Sequence, residues 1–105
     1  MTRSKFLQRN GRLCGFLLTG HAGSAEAGQN LVCAAVSSAA YMTANTITEV
    51  CGCHPDIETA DGCMAVRLSD REAERCVDIL EGFRLHMQEL REMYPKYITI
   101  ELTEV

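Results

Sequence analysis

The stretch Asp61-Gly62-Cys63-Met64-Ala65-Val66-Arg67-Leu68-Ser69-Asp70-Arg71-Glu72 passes from turn to strand to helix start in one short segment. Asp-Gly is a type I′ hairpin signal, because both central positions of that turn require positive φ. Met64, Val66 and Leu68 alternate, which puts them on one face of a half-buried strand. Ser69 and Glu72 then stand at capping-box spacing: the hydroxyl accepts from the third helical amide and the carboxylate reaches back to the cap. A strand therefore returns from a tight turn and hands the chain to a helix.

Working outward, the strand before this turn runs through Ile57. The helix after it carries Ala73, Cys76, Leu80, Phe83, Met87, Leu90 and Tyr94, three or four residues apart, and Pro95 stops it. Residues 97–102 form a last strand with Ile98, Ile100 and Leu102 inward. The first half repeats the theme. Residues 5–8 and 13–19 hinge at Asn10-Gly11 as a hairpin, and a glycine-containing loop follows at 20–28. A helix is predicted from about 31 to 50, with the stripe Val32, Val36, Ala39, Thr43, Ile47 and Val50. Ala34, Ala35, Ser37, Ser38, Ala39 and Ala40 are small enough to let it lie close to a sheet. The order is ββαββαβ: a single α+β domain over 1–105, two-layered, with two long helices packed on a mixed or antiparallel sheet. The paired ββα halves hint at an internal repeat.

Size and composition narrow the function. A chain of 105 residues can build a core without staples. A net charge of −4 argues against nucleic-acid binding, whose footprint is a basic patch. Arg3, Lys5, Arg9 and Arg12 precede the apolar run 13–18 in the manner of a secretory signal. That run is too short and begins directly after a turn, so it reads as a strand; no membrane span is expected elsewhere. The six cysteines then read as reduced thiols in a cytoplasmic protein rather than a disulfide framework.

The reactive residues lie where the first hairpin gives way to the first helix. Asn30 reads as an N-cap, which would make Leu31, Val32 and Cys33 the first turn. Unpaired N–H groups and the helix dipole there would favour a thiolate and could steady an oxyanion. Ser37 lies one turn later on the same face, placed to hydrogen-bond substrate or thiolate. His21 sits beside Gly20, Ala22, Gly23 and Gly28 in the preceding loop, and an imidazole there would take the thiol proton and return it to a leaving amine. Such chemistry calls for no cofactor.

Cys51-Gly52-Cys53-His54 is the competing cluster, since Cys and His in close spacing bind zinc. A closed site needs a fourth ligand, and the Asp61-Gly62 turn pairs Cys63 with Ala60, roughly 20 Å along the strand from Cys53. No metal is therefore expected, and these read as incidental thiols. Cys76 belongs to the apolar stripe and His86 lies beside it, facing water.

Gly-His-Ala-Gly at 20–23, Ala25-Glu26, Gly28 and Val32-Cys33-Ala34-Ala35-Val36-Ser37 closely resemble the signature of the ribosomal-processing cysteine protease (Prp) family. The similarity extends over nearly the whole chain, to Tyr94-Pro95-Lys96-Tyr97. It implies a bacterial endopeptidase that removes an N-terminal extension from the precursor of large-subunit ribosomal protein twenty-seven. By the same resemblance Cys33 is the nucleophile, His21 the general base, and the protein a homodimer. Asn30 stands where many members have aspartate, so no third carboxylate carries over to orient His21. Ser24 stands where an aromatic residue is common. Two other readings remain at this point: a ribosome-associated module that grips a peptide without cutting it, and zinc or redox chemistry at Cys51, Cys53 and His54.

Overall fold

A computed structural model describes residues 1–20 and 27–105 of the chain. Strands β1 (Thr2–Arg9) and β2 (Arg12–Thr19) form the expected hairpin, with Asn10 at φ 55° and Gly11 at φ 80°. Those left-handed values match the right-handed twist of the flanking strands, which is why an Asn-Gly pair serves here. Helix α1 (Ala27–Asn45) continues into a π-helical turn, Thr46–Val50. Strands β3 (Asp56–Ala60) and β4 (Cys63–Arg67) flank the Asp61-Gly62 turn, with Ala60 opposite Cys63 as predicted. Helices α2 (Asp70–Arg75) and α3 (Val77–Met93) precede β5 (Ile98–Glu104).

The sheet runs β3-β4-β2-β1-β5; β5 lies parallel to β1 and the other pairings are antiparallel. This is the mixed sheet of an α+β domain. Register places Phe16 beside Phe6 and Val66, Leu18 beside Ser4 and Met64, and Thr2 beside Ile98. Directly paired residues share a face, so these side chains line the surface that the helices cover. Phe83 of α3 closes the centre, its ring edge-on to Phe6 (centroids 5.5 Å apart) and Phe16 (4.9 Å). On α1, Val32, Val36, Ala40, Thr43 and Ala44 are buried, as is Ile47 in the π turn. The opposite sheet face carries ion pairs, Lys5 with Glu101 at 3.9 Å and Arg67 with Glu58 at 4.0 Å.

Four expectations need correction. The first helix begins at Ala27, four residues early, so Asn30 is an exposed residue inside it and not its cap. Val50 is 79% exposed rather than part of the buried stripe. The hydroxyls of Thr43, Thr46 and Thr48 bond back to the carbonyls of Ala39, Met42 and Ala44. Such back-bonding loosens a helical ladder, and the wide turn that follows carries Val50 out of phase with the 3.6-residue period. The second long helix is two helices, because the chain leaves helical geometry at Cys76 (φ −112°, ψ 16°). Finally, Leu102 is 46% exposed although it pairs with buried Phe6, because β5 is the edge strand of the sheet.

The capping box is present in full, with Ser69 accepting from the Glu72 amide and Glu72 accepting from that of Ser69. The segment Asn30–Val50 is also long and apolar enough, by length and composition, to cross a membrane. In this fold its inward side is core.

Candidate active site

Cys33 lies in the second turn of α1, six residues past the helix start. At roughly 1.5 Å per residue that is about 9 Å along the axis. The amides left unpaired by a helix start belong to its first four residues, so the N–H groups of Leu31, Val32 and Cys33 are helical and are not the oxyanion donors the sequence suggested. The thiol meets a side chain from another element. The Thr2 hydroxyl on β1 is 3.6 Å from Cys33 Sγ.

Cys33 opens onto a cleft of about 260 Å³ between α1 and the end of the sheet. One wall is α1, with Cys33, Val36, Ser37, Ala40 and Tyr41; the other is the β3–β4 turn, Ala60 to Cys63. Leu18 and Met64 supply apolar surface, and Thr2, Thr19 and Gly20 line the end nearest β1. The Gly20 amide donates to the Gly62 carbonyl at 2.9 Å, tying the end of β2 to the far wall. Ser37 thus shares the cleft with Cys33, as the one-turn spacing implied.

The helix start is fixed by packing. A Cβ at Gly28 would sit 3.0 Å from the Tyr97 hydroxyl oxygen and 3.3 Å from its ring. A larger residue at 28 would push the Tyr97 ring away by a few tenths of an ångström. Gly28 is therefore explained by contact between α1 and the entry to β5. His21, Ala22 and Gly23 lie outside the described residues, as do Ser24, Ala25 and Glu26.

The competing cluster divides. Cys53 is buried, its Sγ 3.7 Å from that of Cys76, while Cys51 is half-buried at the end of the π turn. Burial, then the Cys53 contact, pushes the Cys76 thiol up to about 12. The His54 amide donates to the Glu72 carboxylate at 2.8 Å, and this bond, followed by that from Ser69, holds the carboxyl below its usual range. Among the described residues no group of three His, Cys, Asp or Glu side chains could hold a metal. Cys53 and Cys76 are core thiols that join the end of the π turn to the α2–α3 junction.

Thr2 is the cleft residue that sequence reasoning missed. Its strand position is visible as alternation with Ser4 and Phe6, but its neighbour depends on how α1 crosses the sheet, which no local pattern encodes. Tyr41 and the Asp61-Gly62 wall went unremarked for the same reason.

Several solved structures share the whole architecture. The protein SMU.848 of Streptococcus mutans is 31% identical, with a TM-score of 0.84, covering 100% of this chain and 96% of the other. An essential ribosomal processing protease Prp from Staphylococcus aureus, solved with a substrate peptide, is 24% identical with a TM-score of 0.89 over 98% of this chain and 100% of that one. The same protease with a covalently linked product peptide gives 0.85 at 24% identity, over 98% of this chain and 100% of that one. No curated protein matches. Residues 1–99 match the family described as cysteine protease Prp. With the match spanning nearly every element described above, the chain belongs to the cysteine protease Prp family.

Proposed function

We propose that this cysteine protease removes the N-terminal extension of large-subunit ribosomal protein twenty-seven, using Cys33 as nucleophile and His21 as general base. The observation that carries the reading is the placement of the Cys33 thiol on the wall of a cleft with one apolar side. Such a cleft suits a peptide with apolar residues beside the bond to be cut.

The steps follow from the groups available. His21 takes the thiol proton, and the thiolate sulfur bonds to the scissile carbonyl carbon. The C–N bond of the tetrahedral adduct breaks as His21 returns the proton to the leaving amine. Water, deprotonated by the same imidazole, then hydrolyses the thioester and frees the enzyme. Ser37, one turn beyond Cys33 in the same cleft, donates a hydrogen bond to the substrate. The non-catalytic binding module drops out, because the family is one of proteases.

The test is incubation with the extended ribosomal protein. Wild type is expected to shorten it, while Cys33→Ala and His21→Ala leave it intact. Shortening by Cys33→Ala would overturn the nucleophile; an untouched precursor in the presence of enzyme that cuts other peptides would overturn the substrate. We further place the protein in the cytoplasm as a homodimer. No disulfide joins the six cysteines among the described residues, which suits a reducing compartment. Light scattering of the purified protein decides the dimer, with a monomer mass counting against it.

A further inference from the structure

We propose that Thr2 is a positioning residue for the Cys33 thiol, its hydroxyl holding Sγ in the orientation from which it enters the cleft. The proposal rests on Cys33 being the nucleophile. Its ground is the contact of 3.6 Å between Thr2 Oγ1 and Cys33 Sγ, made across the seam between β1 and α1.

Three features fix the hydroxyl before the thiol meets it. The Thr2 amide donates to the Tyr97 carbonyl at 2.7 Å, which sets the backbone. Threonine is branched at Cβ, so a single stiff torsion then places Oγ1. Thr2 is 5% exposed and backed by the Gly20 main chain, where a Cβ would come within 3.1 Å of Thr2 Cα and 3.4 Å of Oγ1. A larger residue at 20 would crowd the hydroxyl.

The chemistry of the pair is asymmetric over the reaction. While the thiol is protonated, either partner can donate. Once the proton has left, the sulfur can only accept, and the hydroxyl still has a proton to give. The contact therefore persists from resting thiol to attacking thiolate. A methyl group of the same size cannot replace it.

Thr2→Val keeps the shape and removes the hydroxyl; Thr2→Ser keeps the hydroxyl and removes the methyl. Each is assayed on a peptide spanning the start of the extended ribosomal protein, and for alkylation of Cys33 by iodoacetamide, resolved by peptide mass spectrometry. Thr2→Val is expected to lower kcat about fivefold with KM unchanged, and to slow Cys33 alkylation by a similar factor, the size of one hydrogen bond. Thr2→Ser is expected to stay within about twofold of wild type. Wild-type kcat and alkylation in Thr2→Val would overturn the proposal. So would an equal loss in both variants at unchanged melting temperature, which would assign the effect to packing. Cleavage surviving in Cys33→Ala would instead overturn the nucleophile, and the alkylation comparison would still decide the Thr2 contact.

Discussion

At the scale of single residues, chemistry-bearing groups divide into those read from their neighbours in sequence and those placed by the fold. Ser37 follows from helical spacing once Cys33 is chosen, and Ser37→Ala is expected to lower cleavage about tenfold at unchanged melting temperature, as loss of one hydrogen bond to the substrate does. Glu72 also follows from its sequence neighbours, but its bond from His54 does not. Its depressed ionisation makes the carboxylate form stabilising above the ordinary range near pH 4, and that contribution is lost as pH falls through the lower folded value. The wild-type melting temperature is therefore expected to fall between about pH 5 and 3, and that of Glu72→Gln to fall less. Cys76 works in the opposite direction. A buried thiol held neutral up to about 12 stabilises the fold below the ordinary thiol range near 8.5. Stability is lost as pH rises from there toward the folded value. Cys76→Ala, itself less stable from the lost packing, is expected to show a flatter alkaline melting profile.

At the scale of elements, both hairpins and the capping box were readable because each is specified within a few residues. Asn10-Gly11 supplies positive φ where the turn demands it, and Ser69 meets Glu72 across one helical turn. Ser69→Ala is expected to cost about 1 kcal/mol in denaturant unfolding. The start of α1, the π turn and the break at Cys76 were not readable. Gly28 looks like loop until Tyr97 is beside it, Val50 fits the stripe until the threonines widen the turn, and Cys76 fits the helix until its thiol finds Cys53. At Gly28 and Cys76 a distant contact accompanies the departure from local preference, and at Val50 side-chain bonds to the helix's own carbonyls do. Phe83 shows the converse: periodicity alone put it in the core, and its two ring partners confirm why. Phe83→Ala is expected to cost roughly 3–5 kcal/mol, measured by the same unfolding.

At the scale of the whole molecule, sequence order yields the two layers but not the strand order, because the parallel β1–β5 pair joins segments with no common turn. The Ser4 hydroxyl bonding to the Thr99 carbonyl spans 95 residues, nearly the full chain. Contacts so distant in sequence close late and slow folding. A chain ending at Lys96 is expected to lose its cooperative thermal transition, since β1 would lack one neighbour; a sharp melt would show β5 to be dispensable. The same closure sets an order of events during synthesis. β1 leaves the ribosome well before Tyr97, yet Tyr97 anchors Thr2 and packs on the start of the helix that bears Cys33. A nascent chain thus carries its thiol long before it has the frame that aims it. The enzyme completes its own cutting edge only after the segment bearing Tyr97 has been made.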